Sequence, residues 1–320
     1  MKRFRLRRRR AIASALLPLA ALTTTSALAE APTARPAQIE ASSRSVGFGD
    51  SLRLHGSFPG ASNAAIEIRH RALGSQAWRI VSLDRTGASG RYAVAVKPRS
   101  SGLWRAQLAA EITTQGAASD EAPASGGAAS VDPGTGSERV AVRSRIEAKV
   151  SGRHALVGRA VEVSGRVGPS GAARRVVVQI GDATETTTTG RDGRFEVEWK
   201  APGTGRYPVE VRARSNRIAT ASRATPGAVT VYRPALASWY GPGLYGNALG
   251  CGGTLTPSTI GVAHKTLPCG TKLRLRYRGR TVSARVIDRG PYSGSREFDL
   301  TSATKQALGF PDLGTVLSSK

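Results

Sequence analysis

The chain has 320 residues with 47 Lys and Arg against 22 Asp and Glu, a formal net charge of +25, and room for one to three domains. Beyond the N-terminal leader no segment is apolar enough to span a bilayer as a helix, which excludes a membrane-spanning helical protein. His55, His70 and His154 stand singly without metal-ligand spacing, so neither a metal nor an organic cofactor is expected.

The first stretch is not fold. Lys2, Arg3, Arg5 and the run Arg7, Arg8, Arg9, Arg10 precede an apolar run over 11–22, and Ala27-Leu28-Ala29 follows. This is the layout of a secretory signal peptide over residues 1–29, with cleavage predicted after Ala29. The apolar run is short for a ~30 Å hydrocarbon core, and no cysteine near the cleavage site offers a lipid attachment point. No stable membrane anchor is therefore expected. Without the seven leader cations the mature chain keeps a net charge of +18. A basic exported protein concentrates near polyanions, which in a cell wall are peptidoglycan carboxylates and phosphate-bearing polymers. Nucleic acid is not an expected partner, since no nucleic-acid motif is present. Solvated arginines without a specific polyanion are the alternative.

Past a Pro/Ala-rich leader, from residue 38, short alternating runs separated by Gly-rich turns read as strands. Ser51-Leu52-Arg53-Leu54-His55-Gly56, Ala65-Ile66-Glu67-Ile68-Arg69-His70, Trp78-Arg79-Ile80-Val81, Tyr92-Ala93-Val94-Ala95-Val96 and Trp104-Arg105-Ala106-Gln107-Leu108 are the clearest. A second copy of the layout follows. Gly193-Arg194-Phe195-Glu196-Val197 echoes Gly90-Arg91-Tyr92-Ala93-Val94, and Gly205-Arg206-Tyr207 echoes Gly102-Leu103-Trp104, both at an offset of 103 residues. A shared offset points to an internal repeat. Each copy, 38–145 and 146–233, has the strand spacing of a β-sandwich and resembles bacterial immunoglobulin-like domains. The Ala-, Ser- and Gly-rich stretch 113–136 reads as a disordered loop inside the first. Trp78, Trp104 and Trp199 occupy strand positions and are expected in cores. Such modules space or bind more often than they catalyse.

The chemistry is concentrated in residues 235–320. Cys251 and Cys269 are the only cysteines, and in an oxidising compartment an isolated pair reads as one disulfide contributing roughly 3 kcal/mol, two free thiols being the alternative. Thr271-Lys272-Leu273-Arg274-Leu275-Arg276-Tyr277 and Thr281-Val282-Ser283-Ala284-Arg285-Val286 alternate around Gly279-Arg280 and predict a hairpin. Asp288 then falls at a strand end before Gly290-Pro291. Residues 302–308 read as a short helix ending at Gly309.

The phrases Ala237-Ser238-Trp239-Tyr240-Gly241, Ala263-His264-Lys265-Thr266-Leu267-Pro268-Cys269-Gly270-Thr271, Ile287-Asp288-Arg289-Gly290-Pro291 and Asp299-Leu300 occur in this order and resemble the rare lipoprotein A family. The resemblance covers 237–317. It implies a C-terminal six-stranded double-psi β-barrel, which with the two immunoglobulin-like β-sandwich modules read above makes the chain all-β. It also implies lytic-transglycosylase-like cleavage of MurNAc–GlcNAc linkages in peptidoglycan glycan strands. In that chemistry one acid protonates the glycosidic oxygen and, as the conjugate base, takes the proton from the muramoyl C6 hydroxyl, which closes a 1,6-anhydro ring. One carboxylate suffices where ordinary glycosidases need two. Asp288 matches the family's catalytic aspartate. His264 matches its active-site histidine, expected to bind saccharide or orient Asp288. Asp299 is expected to be structural, capping the helix or pinning a loop. Trp239, Tyr240, Tyr245 and Tyr292 are candidates to stack on sugar, with Trp239 equally suited to the barrel core, and Arg289 is a further substrate-binding candidate. The family's glutamate position falls on Gly253, so a non-catalytic, expansin-like glycan-binding module is the alternative.

Overall fold

The structure, a computed structural model, describes residues 38–109 and 136–320; the expected signal peptide and nearly all of the expected 113–136 loop lie outside the described residues. Within them the chain is built from strands and one short helix.

In the first sandwich a three-stranded sheet (Gln38–Ala41, Leu52–Ser57, Arg91–Val96) packs against a five-stranded one, ordered Ser45–Gly47, Glu138–Arg143, Gly102–Leu108, Ala65–Ala72, Arg79–Arg85. Alternation sets the faces: Leu52, Leu54, Val94 and Val96 point inward from one sheet, and Ile66, Ile68, Trp104 and Val140 from the other. The second sandwich repeats the plan. Its three-stranded sheet is Arg194–Lys200, Ala160–Gly168, Arg145–Val150. The facing sheet runs Ala183–Thr188, Arg175–Ile180, Gly205–Ala213 and then the first half of β1 (Ser222–Tyr240). Val163, Val176, Val178, Trp199 and Val211 fill the space between. The loop 215–221 of this sandwich reaches the first one: Ala219 joins the first core, Ser101 N–H donates to Ile218 O at 2.7 Å, and Thr220 N–H to Val142 O at 2.8 Å.

Trp104 and Trp199 are core residues, 1% and 5% exposed. Trp78 departs from expectation. It stays outside the core, half-buried, with the guanidinium carbons of Arg105 and Arg71 at 4.4 and 5.0 Å from its ring centroid. The adjoining strand Arg79–Arg85 is the free edge of the five-stranded sheet and is largely solvent-exposed, so a ring there is covered only by neighbouring arginines.

The barrel takes the second half of β1, then β2 (Val262–Ala263), β3 (Lys272–Tyr277), β4 (Arg280–Asp288), β5 (Phe298–Thr301), α1 (Ser302–Leu308) and β6 (Gly314–Ser318). Hydrogen bonding runs β1–β5–β2–β4–β3–β6 and returns to β1, a closed ring of six strands. The β1/β5 and β2/β4 pairs are parallel. Closure removes sheet edges and turns alternate residues inward, where Val262, Leu275, Val286, Phe298, Leu300 and Val316 are wholly buried. β3 and β4 form the expected hairpin about a two-residue turn, with Tyr277 opposite Arg280. α1 also forms as expected and ends at Gly309 in the left-handed conformation.

No linker separates the second sandwich from the barrel. β1 is one 19-residue strand. Its residues Val229 and Val231 lie in the sandwich core, Ala235 and Ala237 lie in the barrel core, and Tyr232 is wholly buried between them.

Candidate active site

The two-residue β2 brings the barrel's carboxylates together. Its Ala263 pairs with Asp288 at the end of β4 on one side and with Asp299 of β5 on the other. Asp288 is half-buried at the strand end. Its Oδ1 accepts two main-chain N–H groups, from Gly250 and from Arg289, each at 2.8 Å. The Tyr240 hydroxyl is a further neighbour of this carboxylate. A Cβ at position 250 would lie 3.0 Å from both Asp288 Oδ1 and Arg289 Cγ, so a side chain there would crowd the carboxylate.

Ser238 and Tyr240 lie on the β1 face that looks toward these carboxylates. Ser238 Oγ donates a short hydrogen bond to Asp299 Oδ1 and accepts one from Arg296 Nη1 at 3.0 Å. Asp299 is thus pinned between strands; the helix cap is Thr301, whose side chain accepts from Thr304 N–H. The Tyr240 hydroxyl is buried beside the Asp288 carboxylate. Burial, then the negative charge of Asp288 and its hydrogen bonding with the hydroxyl, and last the charge of Asp299, raise its pKa far above the ordinary phenol value, so it stays protonated.

His264 follows β2 directly. Its main-chain N–H donates to Asp288 O at 3.2 Å, but its ring does not orient the Asp288 carboxylate. Nδ1 accepts from the N–H groups of Thr266 (3.1 Å) and Leu267 (2.9 Å), which places the proton of the neutral ring on Nε2. Nε2 faces Glu297 Oε1 at 3.7 Å, longer than a hydrogen bond and within ion-pairing range once the ring is charged. Glu297 is itself held by both terminal nitrogens of Arg233, at 2.7 Å for Nη1 to Oε2 and closer for Nη2 to Oε1. Burial lowers the His264 pKa below the ordinary 6.5; Glu297 opposes this, and Arg233 and Arg289 reinforce it. A histidine depressed in the folded state binds fewer protons than in the unfolded chain. Its contribution to stability is therefore lost as pH falls below about 6.5 toward the folded pKa. Replacing Glu297 by Gln removes the raising influence. An NMR titration of the imidazole should show His264 titrating at lower pH than in the wild type, with the acid-side loss of stability extending to lower pH. An unmoved titration would show that Glu297 does not act on the ring.

Other candidates fall outside this cluster. The Arg289 guanidinium is engaged within the protein: Nη1 donates to Leu267 O (2.7 Å) and His264 O (3.3 Å), and Nη2 to Cys269 Sγ (3.0 Å). Cys251 and Cys269 form a disulfide, with Cα atoms 5.5 Å apart. Trp239 points to the opposite face of β1 from Tyr240. Its Nε1–H donates to Asp312 Oδ1 at 2.7 Å, and the Lys305 ammonium lies 3.9 Å from its ring centroid. Tyr245 hydrogen-bonds Ser302 Oγ at 2.7 Å. Tyr292 is 82% exposed on the loop after Pro291.

Position 253 carries left-handed backbone, φ +84°, with open space where a side chain would start. Strain is then the main cost of any L side chain there, about 1–2 kcal/mol. Denaturant unfolding of Gly253→Glu should show a loss of that order; a variant as stable as the wild type would mean that the loop relaxes freely.

Sequence reading did not single out Glu297, Arg233, Arg296 or the Gly250 amide. One signal was present: Glu297 and Asp299 are two residues apart around buried Phe298, the spacing that puts both on one side of an extended chain.

Residues 234–317 match a family described as lytic transglycolase. The probable endolytic peptidoglycan transglycosylase RlpA of Synechocystis sp. is 37% identical over 81 residues, 25% of this chain and 25% of that protein. The endolytic peptidoglycan transglycosylase RlpA of Neisseria meningitidis is 40% identical over 81 residues, 25% of this chain and 34% of the relative. That of Campylobacter jejuni is 38% identical over 82 residues, 25% of this chain and 30% of the relative. The chain thus spans between a quarter and about a third of the length of these relatives. The C-terminal segment is an RlpA-like double-psi β-barrel.

Proposed function

We propose that this is an exported cell-wall protein whose barrel cleaves MurNAc–GlcNAc linkages of peptidoglycan as a lytic transglycosylase, with Asp288 as the single acid and base. The observation that carries the reading is the asymmetric hold on Asp288. Two amides fix Oδ1, so Oδ2 is the oxygen left to carry the proton to be delivered. Oδ2 protonates the glycosidic oxygen as the C1–O bond breaks. The resulting carboxylate takes the C6 hydroxyl proton as that oxygen bonds to C1, and the acid is restored without water. The His264 Nε2–H is a donor at the same rim, suited to a saccharide oxygen, and the buried Tyr240 hydroxyl backs the Asp288 carboxylate. The basic leader and the charge of +18 support export and attraction to anionic wall polymers.

Gly253 favours a second reading, a glycan-binding barrel without turnover, because no carboxylate stands at the family's glutamate position. Digestion of purified sacculi by the mature protein separates the two. Mass-spectrometric detection of 1,6-anhydromuramoyl ends supports the enzyme. Retention on sacculi with no such ends supports the binding module.

A further inference from the structure

A cavity of about 750 Å³ lies far in sequence from the barrel, where the first sandwich meets the loop 215–221 of the second. Its wall includes Trp104 and His70, stacked with centroids 4.5 Å apart, and four exposed cations: Arg79, Lys97, Arg99 and Arg217. No carboxylate lines it, and among the described residues none of the four cations is in an ion pair. Four cations lining one cavity with no carboxylate in its wall leave an uncompensated positive field. Trp104 adds a second, independent sign. It is 1% exposed, and its indole N–H is buried without a hydrogen-bond partner. A buried donor left unpaired costs about 1–3 kcal/mol, a cost that an acceptor entering the cavity relieves.

We propose that this cavity binds a phosphate-bearing polyanion, with the arginines and Lys97 on its oxygens and Trp104 donating from the floor. Guanidinium groups match phosphate in a bidentate manner, and three of them with an ammonium exceed what one isolated carboxylate neutralises. The volume admits a sugar- or glycerol-phosphate unit, larger than a lone ion. The cavity takes residues from both sandwiches, since Arg217 belongs to the second, so an intact junction is needed to assemble it. The proposal concerns binding alone and does not rest on turnover by the barrel.

The test is calorimetric titration of the full mature chain with a poly(glycerol phosphate) oligomer in about 0.15 M salt, where diffuse surface attraction is screened beyond roughly 8 Å. Arg99→Glu and Arg217→Glu should each weaken binding by about tenfold or more, because each replaces an attraction by a repulsion within contact range. Arg278→Glu, the same charge change on an exposed barrel turn, should alter it by less than about twofold. Trp104→Phe keeps the ring and removes the donor. It should weaken binding several-fold, with circular dichroism of all variants unchanged. Equal weakening by all three charge reversals would overturn the proposal, since a diffuse field then accounts for the affinity. Equal affinity for poly-γ-glutamate of matched charge would overturn the preference for phosphate.

Discussion

Asp288→Asn is expected to reduce the rate of 1,6-anhydro end formation by about 10²–10⁴-fold while leaving the fold and glycan binding intact. The substitution is nearly isosteric, and the Asn carbonyl oxygen can accept the same two amides, from Gly250 and Arg289, that hold Oδ1 now. What is lost is the proton on Oδ2 and the base that follows its transfer. Initial rates on peptide-stripped glycan give the magnitude, and the thermal transition checks the fold. If the variant turned over at the wild-type rate, the proton would have to come from elsewhere, and Asp288 would be no more than an anchor for the 250–253 loop.

Replacing both Cys251 and Cys269 by Ser is expected to cost the barrel about 3 kcal/mol, the loop-closure contribution of an 18-residue separation. For a unit of this size that lowers the midpoint of the barrel's transition by on the order of 10–20 °C. The effect should reach the site as well. Gly250, whose N–H holds Asp288, directly precedes one half-cystine, and Arg289 donates to the sulfur of the other. Releasing the bridge frees both sides of the Asp288 cradle, so anhydro end formation should fall with stability. Reducing agent applied to the wild type should reproduce both changes. A loss below about 1 kcal/mol would mean that the surrounding strands close the loop unaided.

The parts of the barrel legible in the sequence are those fixed by local pattern. Alternation over 271–286 around a two-residue turn can form only a hairpin, and a nine-residue strand ending in Asp288 carries that residue to a rim. The meeting of His264 with Glu297 was not legible. It spans 33 residues and depends on the parallel register of β1 with β5, which seats Ala237 beside Phe298 and so fixes Glu297 near Arg233. The role of Asp299 was half legible. Its place before α1 suggested a cap, but the cap fell to Thr301, two residues on, because Asp299 is still in the ladder and is engaged across it by Ser238. Trp78 shows the limit of periodicity: alternation tells which side of a strand a residue takes, while cover depends on whether another sheet extends over that side.

Strand β1 has a consequence for search and reach. A barrel hung on a flexible tether would sample a sphere, and its local concentration at a target would fall gradually with distance. Here a single strand, ~60 Å long at ~3.3 Å per residue, is laddered into a sandwich at one end and closed into the barrel at the other. Such a joint acts as a ruler. With the sandwich anchored, effective concentration at the rim is high for glycan at one distance and orientation and near zero elsewhere. Inserting a short Gly/Ser segment at the junction should therefore trade a narrow range of accessible strands for a broad one.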